Sequence, residues 1–238
     1  MNRFLRGLLQ FIIVLALLYL TGATVWTLLR IPLQLNQQSE LIPAAIGFGG
    51  GILFFLLVSR VLVLYVFGHE LTHWVTAKLF MRDTGDMNIG TSGGNVAVQS
   101  PNIWITLAPY FVPFYTLLWI GVYGIFRFGY GPPNDSVLKI LFAGIGLTYA
   151  FHVVLTAHSL VREQSDLHQH GYVLSLALIL CVNVMLLAVG LISVSHQWRA
   201  GADRFLACMN LELDGTVTGA RWCWEQLKLG WNTLSSLL

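Results

Sequence analysis

The fold class the sequence predicts is an all-α polytopic membrane protein of about five transmembrane helices, with a small β-hairpin inserted in the helical run and an amphipathic helix at the C-terminus. Three observations predict it. The 238 residues are 56% hydrophobic and only 10% charged, with a mean hydropathy of +0.70, where an ordinary soluble domain is about a quarter charged. Long uncharged runs recur between short polar links. One link breaks the helical pattern with partial alternation around Ser92-Gly93-Gly94, the mark of a hairpin. A net charge of +2 with no basic run excludes a nucleic-acid surface. Three cysteines at no metal-binding spacing exclude a cysteine zinc site, so any metal must be held by histidine and carboxylate.

Arg3 and Arg6 precede an uncharged run from Gly7 to Leu29, long enough to cross a bilayer. A secretory leader has a shorter apolar region and a small-residue cleavage site, so this run reads as an uncleaved span. Residues 1–41 form a first unit of span and polar connection. From Leu41 to Phe80 only Arg60, Glu70 and Lys78 are charged, and as one helix this stretch would reach roughly 60 Å, twice a bilayer core. The favoured reading places an irregularity at Gly47 to Gly51 and one long span from there to Phe80; two short spans meeting at Arg60 are the alternative.

Within that stretch lies Gly68-His69-Glu70-Leu71-Thr72-His73. On a helix, His69 and His73 share a face one turn apart and can grip one metal ion, with Glu70 beside its open side. This is the H-E-x-x-H arrangement of zinc peptidases, in which the glutamate serves as general base. Three polar groups inside an apolar helix are costly in a membrane and mark function; two packed histidines alone would leave Glu70 without a role.

Strands are expected at Met87 to Thr91 and Asn95 to Gln99. Gly93, Gly94 and Asn95 sit where a free hairpin edge would pair with an extended substrate segment, although a plain surface hairpin fits the same pattern. Ile103 to Phe126 is the next span, with Pro109 and Pro113 predicted to kink it. Arg127 to Ser136 reads as a loop, Val137 to Leu160 as a returning span, and Gly171 to Val194 as the last, with Asn183 its only strongly polar interior residue. Residues 42–194 make a membrane-embedded core. The tail, 195–238, carries Trp224, Leu227, Trp231, Leu234 and Leu238 at helical spacing, an amphipathic helix for the lipid surface or for a partner. Cys208 and Cys223 are a possible disulfide there.

Span counting brings the two polar clusters together. If His73 lies toward one membrane face, Ile103 to Phe126 leaves that face and Val137 to Leu160 returns to it, so Asp166 arrives beside the histidines however Leu41 to Phe80 divides. Catalytic zinc takes a third protein ligand. Asp166 is the first choice; His170, His168 and His158 are alternatives or groups that orient the ligands.

A Gly-His-Glu-x-x-His helix followed by a glycine-containing hairpin, a span, and a returning span ending in an aspartate resembles the site-2 protease family of intramembrane zinc metallopeptidases, over about His69 to Gly171. The resemblance implies His69, His73 and Asp166 as zinc ligands, Glu70 as base, a hairpin that presents substrate, and a membrane protein substrate with a transmembrane segment. The chain departs from the family at Ser165-Asp166-Leu167, where Asp-Gly with an upstream Asn-x-x-Pro is usual. The expected setting is multi-pass in the lipid bilayer of a bacterial inner membrane, with the site facing the cytoplasm. Two other functions share the motif: a catalytically inactive membrane scaffold or chaperone, and a metal transporter. A transporter would line a path with polar groups on several helices, whereas here they gather at one face, with Asn183 almost alone elsewhere.

Overall fold

The computed structural model describes residues 2–31, 37–58, 62–90, 93–161, 165–195 and 198–235. Expected features at Arg60, at Thr91 and Ser92, and in the links 32–36 and 162–164 lie outside them, as do Leu238 and the side chains of Trp231 and Leu234. The described elements are α1 (Arg3–Arg30), a π-helical turn (Gln37–Leu41) that leads into α2 (Ile42–Leu57), α3 (Leu62–Leu79), β1 (Thr84–Ile89), β2 (Gly94–Val98), α4 (Ile103–Phe111), α5 (Phe114–Tyr130), α6 (Asp135–Val161), α7 (Ser165–Gln169), α8 (Tyr172–Val194) and α9 (Trp198–Ser235). Among the described residues, four helical segments are long and apolar enough to cross a membrane, Arg3–Arg30, Ser39–Leu57, Asp135–Val161 and Tyr172–Val194; α4 and α5 together make a fifth if a bent pair counts as one span.

The expected long span from Gly47 to Phe80 is corrected. Gly47 to Gly51 are helical within α2, Val58 is extended and ends that helix, and α3 begins anew at Leu62. Gly47 and Gly51 serve packing instead. A β-carbon at Gly47 would lie 2.0 Å from the Ala143 carbonyl oxygen, and one at Gly146 equally close to that of Ala44. Only glycine lets α2 and α6 approach so closely, which is how helices associate where lipid removes the hydrophobic drive. Gly146→Ala gains up to about 1 kcal/mol of helix propensity but forces two backbones apart, an overpacking cost of about 1–3 kcal/mol or more. A lower melting temperature of the detergent-purified chain is the expected outcome; an unchanged one would contradict this packing.

The predicted kink is present, and it is large: α4 and α5 are bent by 72°. Pro113 forces Val112 before it into extended geometry. Pro109 is accommodated inside α4. The hairpin pairs Met87 with Val96, Asn88 with Asn95 and Ile89 with Gly94, antiparallel; β1 starts three residues before the expected strand. The expected loop after α5 is shorter than read, since α5 runs to Tyr130 and α6 starts at Asp135, its first turn closed by Asn134 Oδ1 accepting from the Val137 amide at 2.9 Å.

The chain forms two compact units, residues 1–18 with 35–183, and residues 19–34 with 184–238. The first has a core of Leu107, Ala108, Tyr110, Phe111, Leu167, Leu178 and Ile179. In the second, Tyr19 Oη lies 2.7 Å from Thr216 Oγ1 and donates to the Glu212 carbonyl at 3.2 Å. The tail is one helix, α9. Cys208 and Cys223 stand fifteen positions apart on it and are both free, roughly 22 Å along the axis by helical rise, so the proposed disulfide is out of reach.

Candidate metal centre

His69 and His73 lie on one face of α3, as their spacing requires, and α7 brings Asp166 against them. Among the described residues, His69, His73 and Asp166 form the one group of three with ligand atoms all within 4.8 Å of one another. Asp166 Oδ2 is 3.5 Å from His69 Nε2 and 3.4 Å from His73 Nε2. Those separations are long for hydrogen bonds, yet they match the roughly 3.3–3.4 Å edge of a tetrahedron whose centre is about 2.0–2.1 Å from each ligand. His-His-carboxylate donors on such an edge can hold a metal ion. Burial acts to raise the Asp166 carboxyl, but its interaction with the neighbouring His69 and His73 imidazoles outweighs burial and holds the group below the usual carboxylate range.

Each ligand is held from behind. His73 Nδ1 is 2.8 Å from the Ile105 carbonyl oxygen; a carbonyl only accepts, so Nδ1 carries the proton and Nε2 presents its lone pair to the site. His69 Nδ1 is 3.1 Å from Tyr65 Oη, which is in turn hydrogen-bonded to Ser159 Oγ on α6. Tyr110 Oη donates to Asp166 Oδ2 at 3.1 Å. Leu167, next to Asp166, is fully buried in the core, and its carbonyl accepts from Ser175 Oγ at 3.0 Å. Such outer partners orient ligands and are worth about 10–100-fold in metal affinity. Sequence reasoning passed over them: Tyr65 was findable as the residue one turn before His69, while Tyr110 and Ser159 carry no local signal.

Glu70 is buried at 7% exposure and sits against the hairpin. A β-carbon at Gly94 would lie 2.9 Å from Glu70 Cγ and 2.7 Å from Val66 Cγ1, and Glu70 takes a backbone hydrogen bond at Val96. Thus β2 runs directly beside the motif, with Gly93 and Asn95 flanking the contact. The other histidines do not join the group. His158 is exposed, His168 is exposed and stacked on Tyr172 at 5.3 Å, and His170 offers its carbonyl to Gln10 Nε2 at 3.3 Å. On the α3 face next to the ligands, Tyr65, His69, Thr72, Pro109, Tyr115 and His152 help line a cavity of about 30 Å³, room for one or two waters. The kink of α4 and α5 supplies one wall of it, so the bend opens space beside His69.

Fold and site together define a largely helical chain with four or five candidate membrane spans and a buried His-His-Asp group able to hold a metal ion. Comparison with protein-family models, with curated proteins and with solved structures finds no match.

Proposed function

We propose that the chain is an intramembrane zinc metallopeptidase that hydrolyses peptide bonds in or near transmembrane segments of membrane proteins. The observation that carries the proposal is the placement of Glu70 beside a His69, His73 and Asp166 group whose two carboxylate–imidazole separations match a tetrahedral edge, with a β-strand packed on the glutamate. Two imidazoles and a carboxylate suit zinc better than magnesium or calcium, which favour all-oxygen sites. Bound there, zinc would supply Lewis acidity for a water and for the scissile carbonyl.

The residues of the chain do the rest. Glu70 accepts the proton of the attacking water and returns it to the leaving amine. Tyr110 Oη, hydrogen-bonded to Asp166, and Tyr65, bonded to His69, keep the ligands in place. A substrate helix must unwind first, because its carbonyls are already hydrogen-bonded within the helix; Gly94 and Asn95 on β2 offer backbone to the unwound segment. The kink-side cavity is a store for the water that hydrolysis consumes.

Incubating the detergent-purified full chain with a purified single-span reporter substrate is the test. Cleavage that stops with 1,10-phenanthroline and returns on adding zinc is the expected result. Zinc bound at one per chain with no cleavage of any of several reporters would favour the inactive scaffold, and zinc accumulation in proteoliposomes would favour the transporter.

A further inference from the structure

We propose that Pro109 is a positioning residue for the metal centre: by lacking an N–H it leaves the Ile105 carbonyl free to accept from His73 Nδ1, which fixes that imidazole with Nε2 toward Asp166. The proposal rests on the metal-centre reading above and names a residue in the second layer of that site.

In an unbroken α-helix each carbonyl accepts from the amide four residues on. For Ile105 that residue is Pro109, which lies inside α4 and has no amide hydrogen. The proline ring also crowds the carbonyl four residues earlier and turns it away from the helix axis. Ile105 is fully buried, and a buried carbonyl without a donor is costly. His73 supplies the donor at 2.8 Å. The need is mutual: the carbonyl requires an N–H from outside its helix, and the imidazole requires an acceptor on Nδ1 to keep Nε2 unprotonated for a metal.

The next turn of α4 repeats the arrangement. The carbonyl of Tyr110 would take the Phe114 amide, but after the Pro113 bend that amide bonds to Val112 at 2.8 Å. Asn183 Nδ2, on α8, donates to Tyr110 at 3.0 Å instead. Proline-released carbonyls of α4 thus serve as fixed acceptors for side chains of other helices, one of them a metal-ligand candidate.

Zinc affinity of the detergent-purified full chain, measured by competition with a calibrated chelator, tests this with two variants that differ by one N–H. Pro109→Ala restores an amide that competes for the Ile105 carbonyl, and zinc is expected to bind about tenfold more weakly, the lower end of the range for losing an outer hydrogen-bond partner. Placing lactic acid at position 109 by amide-to-ester replacement gives the same methyl side chain without the N–H, and wild-type affinity is expected. Equal affinity of Pro109→Ala and wild type overturns the proposal, and so does an ester variant that loses as much as alanine or fails to fold with it, since a shared defect assigns Pro109 to packing. A wild type that binds no zinc overturns the metallopeptidase reading and this inference together, whereas zinc bound equally by wild type and Pro109→Ala overturns this inference alone.

Discussion

Glu70→Gln is expected to lower the turnover of a transmembrane reporter substrate by about 10²–10⁴-fold, the span of a general base, while zinc content stays at the wild-type level. The substitution keeps the length and planar shape of the side chain, so its packing against Gly94 of the hairpin is preserved. What is lost is the ability to take a proton. Because Glu70 is outside the His69, His73 and Asp166 group, metal retention separates its role from that of a ligand. Loss of zinc together with activity would make Glu70 part of the metal's own shell. Full activity would remove the base from the mechanism altogether.

The second large effect falls on Asp166. Asp166→Ala leaves two imidazoles one helical turn apart and takes away the only anion of the group. Under the proposed reading Asp166 is one of three ligands, so zinc affinity should fall by more than the about 10–100-fold that follows loss of an outer hydrogen-bond partner. The fold should survive it, since α7 is held by Leu167 in the core and by the Ser175 bond to its carbonyl rather than by the aspartate. Of the neighbouring sequence candidates, His168 stacks on Tyr172, and neither it nor His170 belongs to the group of close ligand atoms. They do not replace the missing carboxylate.

What could be read from the sequence follows a physical divide. His69, Glu70 and His73 were legible because helical spacing alone places them, and Asp166 followed from the order of spans, a topological argument that needs no distances. The hairpin was legible through its Gly-Gly turn, and its early start was missed because Thr84, Gly85 and Asp86 carry no strand signal. Glycines misled at Gly47 to Gly51, where a cluster that looked like a helix break stays helical and two of its members, Gly47 and Gly51, pack closely on α6. Close approach and chain breaking use the same residue, and only the partner helix tells them apart. Pro109 was read as a kink and proves to free a carbonyl; that consequence depends on His73, 36 positions earlier, and is invisible locally. The Tyr110 bond to Asp166 is equally long-range.

The most direct measurement is the metal content per chain, by mass spectrometry, of detergent-purified wild type and Asp166→Ala prepared side by side. One zinc per wild-type chain, absent from Asp166→Ala, is the result expected of a His69, His73 and Asp166 centre. No zinc in the wild type, or an undiminished one in Asp166→Ala, would contradict it.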